Sequence, residues 1–330
     1  MLRRICLPLL SIVSVALATA ALEQPADAQD TARSGLALQS GWQSGPELES
    51  ARAGLAAVTL DGRIYAAGGA GRVTPRDNFE VYESDIHRWR PVSPLPEGLE
   101  RFGLAAADGR IWAAGGFSAQ SGREPISEMW SYDPDGDLWQ SETPMPAARA
   151  AFGMVAHDNR LYAVAGTGEP GGVFVFDVES REWAALAAPP ELARRDAGIA
   201  LVGGEIWVTG GIVDRRAVRR VDIYDIAGDR WRRGPDLPEA RAGHTLVFDG
   251  TRVLALGGRG EDLRSTHASV YSAAPDARSW QAESPLPGAR TEAAAAELNG
   301  AVFLIGGGVG GGVFAPFTAL ATVDILGRNR

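Results

Sequence analysis

The stretch DGRIYAAGG at residues 61–69 decides the fold of this chain, because it recurs as DGRIWAAGG (108–116), DNRLYAVAG (158–166), GGEIWVTGG (203–211), DGTRVLALGG (249–258) and NGAVFLIGG (299–307). Each copy opens on a turn signal and runs through apolar residues too few and too β-prone for a helix. Each ends in small residues, in most copies Gly-Gly. This is the pattern of a strand entered through a tight turn and left by a sharp one.

Working outward, two markers travel with each copy. About 16 residues before the glycines lies an Arg in a turn rich in Pro and Ala: Arg52, Arg101, Arg149, Arg194, Arg241 and Arg290. After the glycines comes a short strand that usually carries an aromatic (FEVYES, EMWSYDP, VFVFDVE, VDIYDI, ASVYSA), then a turn and one Trp: Trp89, Trp139, Trp183, Trp231 and Trp280. The period of 44 to 50 residues is that of a repeat array. Each unit offers four strands: one after the Arg, one ending in the glycines, one carrying the aromatic and one carrying the Trp. A four-stranded sheet repeated at this length is a propeller blade.

At this point the residues resemble a known family. The pairs Gly68-Gly69, Gly115-Gly116, Gly210-Gly211, Gly257-Gly258 and Gly306-Gly307 are each followed by a third strand that usually carries an aromatic, often Tyr, and most then by a Trp, and together they are similar to Kelch repeats. The resemblance covers nearly all of residues 40–330 and implies an all-β, six-bladed propeller of four-stranded antiparallel blades. Blade three departs from it, with Gly166-Thr167 where the pair is expected. The sixth unit ends at ATVDILGRNR without a Trp strand, and Trp42 stands 47 residues before Trp89 in the same register. Residues 37–45 are therefore expected to supply the outer strand of the last blade and close the ring, which leaves no open edge.

The first 28 residues read as an address. Arg3 and Arg4 give a positive start, Ile5 to Ala21 is almost wholly apolar, and small-residue sites follow at Ala18-Thr19-Ala20 and Ala26-Asp27-Ala28. This predicts a secretory signal peptide over 1–28, cut after Ala28 or Ala20, then a short tail at 29–36 and the propeller over 37–330. A periplasmic or extracellular location follows, with no membrane span after cleavage. Cys6 is the single cysteine, so the mature chain would hold neither a disulfide nor a thiolate nucleophile. A formal charge of -9 argues against nucleic acid as a partner.

The repeated Trp42, Trp89, Trp139, Trp183, Trp231 and Trp280 are expected between blades as core. The arginines are the best functional lead. In Kelch propellers the residues after the fourth-to-first-strand loop and after Gly-Gly lie on one face around the channel mouth, so Arg52, Arg101, Arg149, Arg241 and Arg290 are expected there. His244 and Arg123 would be adjuncts. A guanidinium-lined mouth favours a carboxylate or phosphate, whereas partners among neighbouring acids and carbonyls would make the series structural.

The four histidines have no ligand spacing, so neither a metal nor another cofactor is expected. The DPDGD run at 133–137 has Pro144 where a calcium loop needs its bidentate acid, and reads as a turn. Galactose oxidase, a Kelch-type enzyme, requires a Tyr joined to a Cys beside copper, which this chain lacks once Cys6 is removed. The reading favoured is a monomeric binding module that takes a protein, a peptide or an acidic sugar at the mouth. The alternatives are a sugar-active enzyme resembling the Kelch-type N-acetylneuraminate epimerase, and a structural envelope protein.

Overall fold

The computed structural model describes residues 41–327 apart from 73, 123, 169–171 and 311–313. The expected signal segment, the tail and the first part of the expected closing strand lie outside the described residues. Asp61 and Gly62 both adopt positive φ, 48° and 72°, so the turn they make folds the strand Ala56–Leu60 directly against Arg63–Ala67. Phe79–Glu83 and Arg88–Pro91 complete an antiparallel sheet of four.

The same order repeats in five further blades. Blade 2 holds Gly103–Ala107, Arg110–Ala114, Met129–Asp133 and Leu138–Ser141, and blade 3 holds Gly153–His157, Arg160–Val164, Val173–Asp177 and Glu182–Leu186. Blade 4 holds Gly198–Val202, Glu205–Thr209, Val221–Asp225 and Arg230–Arg233, and blade 5 holds Thr245–Phe248, Val253–Leu256, Val270–Ala273 and Gln281–Glu283. Blade 6 is built from Ala294–Leu298, Ala301–Ile305 and Val323–Leu326, and its fourth strand is Trp42–Ser44 from the other end of the chain, paired Trp42 to Leu326 and Ser44 to Asp324.

Three cyclic sets of hydrogen bonds join the blades. In the first, the amide of the residue ending each Gly pair donates to a carbonyl of the next blade: Gly69 to Leu99, Gly116 to Arg149, Gly166 to Arg194, Gly211 to Arg241, Gly258 to Arg290 and Gly307 to Arg52, all at 2.7–2.9 Å. The glycines are needed here for space as well as for backbone freedom. Gly68 has φ of 61°, and a Cβ on it would stand 2.5 Å from the Leu99 carbonyl oxygen and 2.6 Å from the Phe102 ring. In blade 3 this place belongs to Ala165 and Gly166, with φ of 63° and 95°, and not to Gly166-Thr167 as the sequence pattern implied. One methyl is tolerated there, so the sequence signature slipped by one residue.

The second set is made by the tryptophans. Each indole N–H donates to a backbone carbonyl near the end of the preceding blade: Trp89 to Pro46, Trp139 to Ser93, Trp183 to Thr143, Trp231 to Ala187 and Trp280 to Pro235 at 2.9–3.1 Å, and Trp42 to Ser284 at 3.4 Å. Trp42, Trp89 and Trp280 are buried, whereas Trp139, Trp183 and Trp231 are half-buried. The third-strand aromatic stacks on the Trp of its own blade, as in Tyr82–Trp89, Tyr132–Trp139 and Tyr224–Trp231, with centroids 5.0–5.3 Å apart. The Tyr132 and Tyr224 hydroxyls then donate to Asp137 and Asp229 in the following turns at 2.6 Å. In DPDGD, Asp133 Oδ1 accepts the amides of Asp135 and Gly136, which makes the run the turn its sequence suggests.

The third set lies closest to the axis. Gly54 donates to Glu292, Arg101 to Gly54, Ala151 to Arg101, Asp196 to Ala151, Gly243 to Asp196 and Glu292 to Gly243, backbone to backbone at 2.7–3.0 Å. All six residues have φ between 52° and 68°. With neighbouring Cα atoms roughly 5 Å apart, as in paired strands, such a hexagon is only about 10 Å across. One long side chain can therefore cross it.

Candidate functional site at the axial ring and its face

Five of the six arginines are spent inside their own blades. The Arg52 guanidinium donates to the carbonyls of Gly68 and Asn78 at 2.9 and 3.0 Å and pairs with Glu80 at 2.5 Å. Arg149 donates to Gly172 at 2.9 Å and lies over the Phe174 ring, 4.4 Å from its centroid. Arg194 binds Asp222 at 2.6 Å and the Val208 carbonyl at 2.9 Å. Arg241 binds Gly257, Ser269 and Glu239, and Arg290 binds Gly306 and Asp324.

All five are buried. Each ties the second strand of its blade, or the loop that follows it, to the third. Burial pulls Arg52 and Arg149 down to about 10, in the case of Arg52 against the field of Glu80. The expectation of a guanidinium-lined mouth is thereby corrected for Arg52, Arg149, Arg241 and Arg290: their charges are neutralised or hydrogen-bonded within the blade and do not face the channel.

His244 is likewise removed from the mouth. It is buried, with Nε2 2.7 Å from Thr209 Oγ1 of the neighbouring blade. It stands three residues after Arg241, as Phe102 and Phe152 stand in the same register of blades 2 and 3, so it fills an apolar seat between blades. Burial, with Arg241 and Arg194 nearby, holds its pKa well below the usual value and keeps the ring neutral. Arg123 lies outside the described residues.

Arg101 is the exception, and its spacing explains why. It lies 14 residues before Gly115, whereas Arg52 and its equivalents lie 16 before theirs. The equivalent position in blade 2 is Leu99, whose carbonyl takes the place of the Arg carbonyls in the first cyclic set. Arg101 sits instead on the innermost hexagon, beside Gly54 and Ala151. From there its side chain meets Glu292 at 2.7 Å and Asp196 at 3.7 Å.

Arg259, the residue after Gly258, meets the same two carboxylates at 2.9 Å for Asp196 and 3.4 Å for Glu292. Blades 2, 4, 5 and 6 thus send two cations and two anions to one point on the axis. Small hexagon members make the room: a Cβ on Gly54 would press on Arg101 at 3.3 Å, and one on Gly243 would meet Thr291 Oγ1 at 2.7 Å.

The cluster is largely buried, with Asp196, Arg259 and Glu292 all buried and the Arg101 side chain 17% exposed. Burial would lower the Arg101 pKa, but the facing carboxylates of Glu292, Asp196 and Glu100 outweigh it and the net shift is upward. Glu292 moves up as well, because burial costs its charge more than Arg101 and Arg259 return. Its Oε2 has no hydrogen-bond partner among the described residues.

Around this plug, on the face formed by the loops that enter the first strands and leave the second, a groove of about 570 Å³ runs between blades 1, 2 and 6. Arg72, Pro75, Arg101, Phe117 and Phe317 line it. Phe317 is 58% exposed and Phe314 64%, on the same loop as the exposed Val309. This gives the face an apolar wall beside two guanidinium groups. Among the described residues no set of three or more His, Cys, Asp or Glu is arranged to hold a metal ion.

The Kelch motif matches residues 51–96, 100–146 and 193–238, which hold all four strands of blades 1, 2 and 4. Three of the six blades thus carry the Kelch motif. The chain is 29% identical to Kelch-like protein 35 of Mus musculus over 251 residues, 74% of this chain and 41% of that protein. It is 28% identical to Kelch-like protein 23 of Homo sapiens over 209 residues, 62% of this chain and 37% of the relative. Beta-scruin of Limulus polyphemus matches at 29% over 123 residues, 35% of this chain and 13% of its own. The chain therefore spans less than half the length of the relatives it matches.

Within this propeller, sequence reasoning missed Asp196, Arg259 and Glu292. The signal was available, since the hexagon position two residues after the repeat Arg reads Gly, Arg, Ala, Asp, Gly, Glu around the ring. Residues that are either glycine or alanine on one hand or charged on the other mark a place where some blades make room and others fill it.

Proposed function

We propose that this propeller is a binding module that engages a protein or peptide partner through the face bearing the axial plug. The observation that carries this reading is the loop of blade 6. Phe314 and Phe317 are large, apolar and more than half exposed, and Phe317 lines a groove of about 570 Å³. Aromatic side chains held in water beside a cavity act as anchors for a partner. The axial charges are already matched to one another, so binding draws on the groove and its Arg72 edge more than on the plug.

The positive start at Arg3 and Arg4 and the apolar run Ile5 to Ala21 support secretion, and with it an extracytoplasmic partner. The test is a selection of displayed peptides on the purified protein. Peptides that carry a bulky apolar residue are expected to enrich and to lose binding to Phe314→Ser/Phe317→Ser, while keeping it with Leu138→Ser, an exposed residue on the opposite side of blade 2. Equal binding to both variants would refute the assignment of the face.

A further inference from the structure

Below the charged cluster the axis is hollow. The cavity there measures about 390 Å³ and is lined by three consecutive residues from each first strand, among them Thr59, Val155, Ile199, Leu201, Phe248 and Glu297. Each first strand is the edge of its sheet and pairs on one side only. The side turned to the axis therefore carries backbone N–H and C=O groups in need of partners. Toward the plugged face the tube ends at the hexagon of backbone hydrogen bonds, with Arg101, Asp196, Arg259 and Glu292 filling its centre.

Of the described residues lining the tube, one is ionisable. Glu297 accepts the Gly300 amide on Oε1 at 2.5 Å, and its backbone carbonyl accepts the Thr59 hydroxyl from blade 1 at 2.6 Å. No cation of the described residues pairs with its carboxylate, and none lines the cavity. Two of the arginines that open second strands at this end pair with acids of the third strands, Arg110 with Asp133 at 3.3 Å and Arg160 with Asp177 at 3.4 Å.

We propose that the channel is a binding site for a primary alkylammonium ion. Its ammonium group supplies three donors and a positive charge, which match the Glu297 carboxylate and the edge carbonyls around it. Its hydrocarbon part lies against Val155, Ile199, Leu201 and Phe248, all half-buried. At about 30 Å³ for each small group, the volume holds roughly a dozen non-hydrogen atoms, which suits an amine of six to ten carbons. An anion finds no cation in the lining, and a neutral hydrocarbon leaves the Glu297 carboxylate without a counter-charge.

The probe is n-hexylammonium titrated into the purified protein by calorimetry at low salt, with n-hexanol as the uncharged match. Binding at one site per chain is expected, with hexanol at least tenfold weaker. Glu297→Gln keeps Oε1 as acceptor for Gly300 but removes the charge, and it is expected to abolish the preference for the ammonium. Ala156→Leu narrows the tube from blade 3 and is expected to weaken binding at least tenfold with Glu297 intact, so the result does not depend on one variant folding. Phe314→Ser/Phe317→Ser is expected to bind hexylammonium as the parent does, which separates this site from the partner-binding face. Equal affinity in the parent and Glu297→Gln, or no heat with millimolar probe, would overturn the proposal.

Discussion

Replacing Arg101 by Met tests the axial cluster. The substitution keeps most of the aliphatic volume and removes the guanidinium, which leaves Asp196 and Glu292 to share Arg259, at 2.9 and 3.4 Å, in a site where both acids are buried. Breaking a buried pair by removing one partner costs about 3–5 kcal/mol, because the other charge stays desolvated. Arg259 remains and Arg101 is 17% exposed, so the lower end, about 3 kcal/mol, is expected. For a domain of this size that is a fall of roughly 6–12 °C in melting temperature at pH 7.

The loss has a definite pH dependence. The Glu292 pKa is already raised by burial, and removal of Arg101 raises it further. A carboxyl whose folded pKa exceeds its unfolded value of about 4.3 gives stability that is complete below that value and is lost as pH rises through the folded one. The deficit of the variant should therefore be largest near neutrality and shrink toward pH 4. Urea denaturation of parent and variant at several pH values reads it directly. Adding Glu292→Leu to Arg101→Met removes both charges and should recover most of the loss. A deficit under about 1 kcal/mol at pH 7, or one that stays constant with pH, would refute the account of the plug as a buried, mutually dependent cluster.

His244 predicts a second pH effect of opposite sign. Its folded pKa lies well below its unfolded one, so its contribution holds above about pH 6.5 and is lost as pH falls below it; His244→Phe should flatten the denaturation midpoint between pH 6.5 and 5. Gly68→Ala should destabilise far more than Gly62→Ala, since both have positive φ but only Gly68 faces a carbonyl oxygen at 2.5 Å while Gly62 has open space; equal losses by denaturation would show that strain alone matters. Trp89→Ala, at a buried indole, should cost about 3–5 kcal/mol by chemical denaturation, and Trp183→Ala, at a half-buried one, clearly less.

The geometry also bears on how one fold hosts different partners. The interior bonds of the arginines, glycines and tryptophans repeat around the axis and close on themselves, so they fix the scaffold and say little about what it binds. Blades differ at the hexagon, along the axial edge of the first strands and in the loops after the second strands, where blade 6 carries Phe314 and Phe317 and blade 5 carries Arg259. Substitutions there change a surface or a cavity without touching the cyclic bonds.

The repeat architecture was legible from the chain alone, because glycine at a positive φ, a period-two apolar strand and one indole per blade are local requirements that each repeat must meet for itself. The pairing of Trp42 with blade 6 was legible too, by counting. The arginines misled for a physical reason: spacing placed them at the start of the first strands, but which way a guanidinium turns depends on the carbonyls and acids that surround it, such as Gly68, Asn78 and Glu80 for Arg52. Arg101 resembled the others and was two residues out of register, which on a strand entering the axis separates an internal brace from a group that crosses the channel. That Asp196, Arg259 and Glu292 meet it was beyond local reading, since 191 residues separate Arg101 from Glu292 and only closure of the ring brings their charges to 2.7 Å.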